Sequence, residues 1–339
     1  MKKSLVGLAV LAATGAALAQ SSVSAYGELD VWFGGLRTDN GAGATTSQTA
    51  IGSGGIDESY WGLKGSEDLG GGLRANFALE QGFEIDSGAA GAYTGQSTGS
   101  QAFDRQSWVG LSGNFGEIQI GKVWSAYDDI TGASNAIFDS AALAPVYRVF
   151  KSVEYIDRPT NGLRYTSPEI AGFTGAVSYS LDEDSTTNPS VRSVSLSYAG
   201  GPLAAQLGYQ EEETIGVPDN ASFAMLGASY DFNILTTKLI YAKADNVGSL
   251  PGVEASEWQI GADIPLSPAM VVSVSYAKSD DSQPANVFEA EREGYAIAAT
   301  YTLSKRTYLY GGYTYSSETQ PSADDATSEA LALGIRHSF

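Results

Sequence analysis

The 339-residue chain contains no cysteine and a single histidine, His337. Without thiols there is no disulfide frame and no thiolate metal site. A lone imidazole with no His or Cys near it in sequence gives no support to a histidine metal centre or acid–base pair. Basic residues are also scarce. Nineteen Lys and Arg stand against 39 Asp and Glu, a formal charge of −20. Such a chain repels the phosphate backbone, which excludes a nucleic-acid partner. After the first nineteen residues, no apolar run approaches the ~20 residues that a membrane-spanning helix needs. There is no glycine-rich phosphate loop, nucleophile elbow or EF-hand spacing, so no catalytic residue, cofactor or metal is implied.

What is present is a cadence. From residue 191 to the end, short stretches of alternating apolar and polar side chains are separated by breaks that are alternately tight and long. Ser193-Val194-Ser195-Leu196-Ser197-Tyr198 meets the tight Ala199-Gly200-Gly201-Pro202. Further tight breaks fall at Asp231-Phe232-Asn233, Pro265-Leu266-Ser267-Pro268 and Leu303-Ser304-Lys305-Arg306. Between them lie long polar segments over 211–220, 245–256 and 279–293, and one reaching Thr327. Period-two alternation makes a strand with one greasy face. Tight turns at one end and long loops at the other are the pattern of a transmembrane β-barrel. The 19 Tyr and 12 Phe suit aromatic girdles at two membrane interfaces.

In the front half, strand-like runs occupy 23–36, 57–65, 72–85, 103–112, 116–124, 158–166 and 173–181, followed by 191–198. Long breaks lie at 41–55 and 86–100. The second half adds 203–210, 223–230, 235–243, 257–264, 270–278, 295–303, 307–315 and 329–339. The fold predicted is all-β, a 16-stranded antiparallel barrel wide enough to hold water. Ahead of it, Lys2 and Lys3, the apolar Leu5 to Ala13, and Ala17-Leu18-Ala19 read as a signal peptide over 1–19. The barrel domain would then cover 20–339, and its charge would fall to −22 once Lys2 and Lys3 are removed.

Residues 125–157 break the rhythm. A stretch this long without strands is functional or disordered as a rule. It is neither Gly/Ser-rich nor strongly charged, and it carries Ile137, Phe138, Leu143, Val146, Tyr147, Val149 and Phe150. Those side chains require a surface to pack on, so the segment is expected to fold inward and narrow the lumen. Alternation also assigns faces. Leu73, Ala75, Phe77 and Leu79 point to lipid, which turns Arg74 and Glu80 into the lumen. Leu29, Val31 and Phe33 do the same for Glu28 and Asp30, and Arg336 on the last run also faces in. A charge on the lipid face at mid-depth would cost about 2–4 kcal/mol. Lys122 shares parity with Ile118 and Ile120, so it lies beyond the membrane band or follows a bulge.

Several blocks resemble the general porins of beta-proteobacteria. Tyr60-Trp61-Gly62-Leu63-Lys64-Gly65-Ser66-Glu67-Asp68-Leu69-Gly70-Gly71-Gly72-Leu73-Arg74-Ala75 is similar to that family's second strand, turn and third strand. Arg105-Gln106-Ser107-Trp108-Val109-Gly110-Leu111 with Phe115-Gly116 and Gly121-Lys122 is similar to its strands four and five. Arg158, Asn161-Gly162, Tyr165, Ser167-Pro168 and Gly172-Phe173 resemble its strand six to seven hairpin. Gly334-Ile335-Arg336-His337-Ser338-Phe339 resembles its closing strand.

The resemblance implies a trimeric outer-membrane channel of a Gram-negative bacterium, with periplasmic turns, extracellular loops and a third loop in the lumen. It implies an eyelet in which loop acids face wall bases. Lys122 and Arg158 would be wall bases beside Arg74, and Asp128, Asp129 and Asp139 would be the facing acids. Glu28 and Tyr60 depart from the pattern, since relatives carry an apolar or basic residue at one slot and often an arginine at the other. Both changes make the eyelet less positive and point to weak cation selectivity. Phe339 matches the family's C-terminal assembly signal, read by the outer-membrane assembly machinery.

Implied partners are two further copies, outer-membrane lipid and lipopolysaccharide, and permeating ions and small hydrophilic solutes. The acidic runs Asp182-Glu183-Asp184, Glu211-Glu212-Glu213, Asp280-Asp281 and Asp324-Asp325 read as solvated loops. The alternative to a channel is a secreted or surface β-fold enzyme or adhesin whose acidic loops bind a ligand.

Overall fold

The computed structural model describes residues 22–91, 102–181, 190–213, 219–247, 252–282, 290–319 and 324–339. The proposed signal peptide and the Asp182–Asp184 run lie outside the described residues. Seventeen strand segments form one antiparallel sheet closed on itself. They are β1 (Ser22–Asp39), β2 (Thr45–Ser53), β3 (Tyr60–Gly70), β4 (Leu73–Gly82), β5 (Gln106–Gly113), β6 (Gly116–Lys122), β7 (Gly162–Thr166), β8 (Phe173–Ser180) and β9 (Val191–Gly200). They continue as β10 (Leu203–Glu212), β11 (Ala221–Asp231), β12 (Thr236–Asp245), β13 (Glu254–Ser267), β14 (Met270–Ser282), β15 (Glu291–Ser304), β16 (Thr307–Glu318) and β17 (Ala326–Ser338).

Seventeen segments make sixteen staves. The far half of β1 pairs with β2, from Val31 opposite Ser53 to Asp39 opposite Thr45. Its near half pairs with β3, from Ser22 opposite Ser66 to Glu28 opposite Tyr60. So β2 and β3 are one stave interrupted at residues 54–59. Pairing of β1 with β17, from Glu28 opposite Ser338 to Asp39 opposite Thr327, closes the barrel. Closure removes the sheet edges and leaves every ladder hydrogen bond internal, which hydrocarbon demands.

The hydrophobic pattern is inverted relative to a water-soluble protein. Leu226, Leu239, Ile260, Ile297, Leu331 and Leu333 stand exposed on the outside, while Ala, Ser and Gln alternate with them on the inside. The tight turns sit where the alternation predicts, at Gly70–Gly72, Gly113–Gly116 and Gly200–Leu203 among others.

Three sequence expectations move. Thr45–Ser53 is a strand rather than part of a long break, because its one large apolar residue, Ile51, leaves no alternation to read. The strand expected from residue 57 begins at Tyr60, and the one expected from 158 begins at Gly162. Both displaced segments turn into the lumen instead.

The apolar packing that a globular protein would place between layers lies here inside the barrel. Residues 125–157 fold inward as a chain of single helical turns at Tyr127–Ile130, Thr131–Ser134, Ile137–Asp139 and Val146–Val149. Tyr127, Ile130, Val146, Val149, Phe150 and Tyr155 pack on Phe223, Met225, Ile240 and Ala242 of the far wall. Ala136, Ile137, Leu143 and Ala144 pack on Ile56, Ala296, Ala298 and Tyr310.

Candidate pore constriction

A run of inward-facing glycines makes room for the loop. A methyl group at Gly208 would strike Ile130, at Gly227 it would strike Ser134, and at Gly261 it would strike Ala136. At Gly294 it would crowd Val149 and Pro145. Polar ties then hold the loop to the wall. Glu257 accepts from the backbone N–H of Lys151 and, at 3.0 Å, of Ser152. Glu212 accepts from the N–H of Ile156 at 2.6 Å. Buried Arg292 forks onto Asp281 at 2.6 Å and donates to the carbonyl of Val149 at 2.8 Å. The acidic runs 211–213 and 280–281 are therefore working parts of the lumen wall and rim. Arg192 lies 3.6 Å from Glu211, and Lys278 lies 3.3 Å from Asp280.

At its tip the loop makes a left-handed turn through Ile137, Phe138 and Asp139, with φ of 57°, 60° and 57°. This conformation costs a non-glycine residue roughly 1–2 kcal/mol. Burial of Ile137 and the 2.8 Å bond from its N–H to the Ser273 hydroxyl offset that cost. The turn aims Phe138 and Asp139 at the open part of the lumen.

That open part is a cavity of about 740 Å³. One wall carries Arg105, Arg158 and Arg336, together with Asp57 and Glu58 from the break between β2 and β3. The loop contributes Asp128, Asp139, Glu154 and Asp157, with Phe138, Tyr147 and Tyr155. Trp124 lies beneath two of the bases. The guanidinium of Arg158 stacks 4.1 Å from its ring centre, and that of Arg105 sits 5.8 Å away.

Every arginine of this wall has an acid on the same wall. Glu58 lies between Arg105 and Arg158 and is 3.2 Å from the latter. Arg105 also reaches Glu80 at 3.4 Å, and Arg158 reaches Asp157 at 3.3 Å. Arg336 forks onto Glu28, with Asp57 at 3.7 Å. On the loop, Asp128 accepts from the Tyr155 hydroxyl and Asp139 from the Tyr147 hydroxyl, each at 2.7 Å. Asn135 also donates to Asp139 at 2.7 Å.

The expected site residues divide accordingly. Asp128, Asp139 and Arg158 line the cavity. Glu28 and Tyr60 stand just behind it. Glu28 is bound by Arg336, and the ring of Tyr60 lies 4.3 Å under Arg105. The slot where Tyr60 replaces an expected base therefore still holds a positive charge, supplied from the start of β5. Lys122 turns inward because Gly121 adopts φ of +139°, which flips the alternation after Ile120. Its ammonium donates to the carbonyl of Arg158 at 3.0 Å rather than projecting into the cavity.

Two expectations need correction. Arg74 is exposed next to the tight turn, bonded to the Ser66 hydroxyl at 3.0 Å, because parity gives its face but not its depth. Asp129 points at the wall and grips Arg164 with both oxygens at 2.7 Å.

The sequence did not single out Asp57, Glu58, Arg105, Glu154 or Asp157, all of which line the cavity. Arg105 opens the quoted 105–111 block and was the one detectable signal among them. The remaining ionisable groups show no clustering of three or more potential metal ligands among the described residues. His337 bonds the Thr307 hydroxyl at 2.8 Å.

A closed barrel of sixteen staves with a loop seated across its lumen is the architecture of a porin. The family model described as Gram-negative porin matches residues 7–321. The chain is a Gram-negative porin. Among curated relatives, outer membrane porin protein 32 of Delftia acidovorans is 30% identical over the full length of both chains. An anion-selective porin from Comamonas acidovorans superimposes with a TM-score of 0.79 at 26% identity, over 94% of this chain and 100% of that one. The trimer form of OmpT from Vibrio cholerae shares the fold, with a TM-score of 0.70 at 16% identity over 94% and 99% of the two chains. This porin accordingly resides in the outer membrane, and its water-filled lumen is its working part.

Proposed function

We propose that this porin passes ions and small hydrophilic solutes by passive diffusion, with a weak preference for cations. The observation that carries the preference is the charge lining the cavity. Three arginines share the lining with six acids, of which Asp57 and Glu58 pair with the arginines on their own wall and Asp128, Asp139, Glu154 and Asp157 come from the loop. Glu28 and Tyr60, the two departures from the family pattern, contribute little, since Arg336 and Arg105 offset them. The formal charge of the chain, −22 without residues 1–19, acts in the same direction. The Comamonas neighbour is described as anion-selective, so this reading assigns the two channels opposite signs despite one fold. Lining charge, not fold, sets the sign. The zero-current potential of reconstituted channels across a tenfold gradient of potassium chloride tests it. Potassium is expected to lead, and a chloride-selective potential would overturn the assignment.

We further infer that residues 1–19 are a cleaved signal peptide and that three copies assemble, as in the trimer form of the Vibrio protein.

A further inference from the structure

The interruption of the second stave is built rather than accidental, and one carboxylate organises it. Asp30 on β1 is fully buried and lies outside the cavity lining. Its oxygens accept from three successive backbone N–H groups of the break, those of Gly55 at 3.2 Å, Ile56 at 2.8 Å and Asp57 at 3.1 Å. The Tyr310 hydroxyl donates to the same carboxylate. Ser59 closes the far end, with its hydroxyl accepting from the Asp30 N–H at 2.9 Å. A carboxylate accepting several backbone donors fixes the chain around it.

The segment so held does two things. It presents Asp57 to Arg336 and Glu58 to Arg105 and Arg158. It also catches the far end of the inward loop. The N–H groups of Ala141 and Ala142 donate to the carbonyls of Ile56 and Gly55 at 3.1 and 3.0 Å, and the Ser140 hydroxyl donates to Gly55 at 2.6 Å. The loop is therefore tethered at both ends. Its roots are covalent, and its tip is latched to a wall segment whose shape depends on Asp30.

We propose that Asp30 is the positioning residue that sets the aperture of this pore, acting through the 55–58 segment and the latch it offers the loop tip. This rests on the reading of that cavity as the constriction, but not on the sign of its selectivity. In Asp30→Asn the amide group brings donors where the site needs acceptors. The segment and the latch should loosen together.

The test uses full-length protein folded in detergent and reconstituted. Asp30→Asn should raise single-channel conductance by roughly 1.5-fold, since pore diameter sets flux, and should speed liposome uptake of neutral trisaccharides. Neutral sugars report size alone, so failure of the charge assignment leaves this readout intact. A second arm guards against misfolding. Ile56→Cys with Ala141→Cys, in the Asp30→Asn background of this cysteine-free chain, can bridge the latch. Oxidised channels should behave as the parent, and reduction on the folded barrel should open them. Unchanged conductance and sugar uptake in folded Asp30→Asn would overturn the proposal, as would bridged channels that do not respond to reduction.

Discussion

Glu58 shows how much a single residue decides in this pore. It sits between Arg105 and Arg158 and, with Glu80, Glu28 and Asp57, offsets the charge of a wall that would otherwise be strongly basic. In the proposed cation-selective reading, the acids across from it set the sign of the field. Asp128 is one whose carboxyl is shifted toward neutral pH. It lies on the loop, outside the strands, and burial above all, with the Asp157 charge beside it, pushes its carboxyl up to about 7. The Tyr155 and Arg158 contacts pull the other way without cancelling the shift. A raised acid is charged above its pKa and neutral below it. The proposed cation preference should therefore weaken as pH falls from 8 to 6, because one lining charge is lost. Zero-current potentials measured across that range check this. Asp128→Asn should flatten the profile at the weaker, acidic value, and an unchanged slope in that variant would assign the titration to another group.

At the scale of the element, the inward loop and the far wall are matched parts. Glycines at 208, 227, 261 and 294 leave hollows on the inner face, and Ile130, Ser134, Ala136 and Val149 fill them. The apolar content of 125–157 showed that the segment needs a packing surface. It did not show which surface, because the hollows lie far along the chain from the residues that fill them, as Gly208 does from Ile130 and Gly294 from Val149. Nor did it show that Asp128 would point to the lumen while its neighbour Asp129 ties down Arg164. Inside a single helical turn, one residue of rotation is enough to exchange the two. Deleting residues 137–146 removes the strained tip and the latch to Gly55 and Ile56. Single-channel conductance should rise and larger neutral sugars should pass, with the barrel still heat-modifiable on gels. A folded deletion with parental conductance would place the narrow section elsewhere.

For the whole molecule, closure is the decisive event. The last strand must find the first, and Phe339 belongs to that seam. Its backbone N–H donates to Gly27 at 3.0 Å, and its ring packs where a Gly27 side chain would otherwise lie. Removing Phe339 takes away the end of the seam along with the terminal aromatic. Outer-membrane levels of folded protein should fall steeply, with the chain accumulating in the periplasm or degraded. Cell fractionation with a heat-modifiability gel measures this. Parental levels in the deletion would show that the seam closes without its last residue.

The amino-acid sequence by itself determined the barrel, its sixteen staves, the end with tight turns and the lipid face of the strands whose alternation is regular. Those properties depend on alternation and on breaks, and both are local. The one stave it obscured was the broken one, where Thr45–Ser53 has no apolar rhythm and residues 54–59 leave the sheet. Tertiary structure alone decided the depth of each lumen residue and its partner. Arg74 and Arg105 are both bases of this half of the chain, yet one lies beside a turn and the other stacks over Tyr60 at the cavity. The physical reason is that parity fixes a direction, whereas charge in a pore acts through distance. Distances between residues such as Glu28 and Arg336, at opposite ends of the chain, exist only once the barrel has closed.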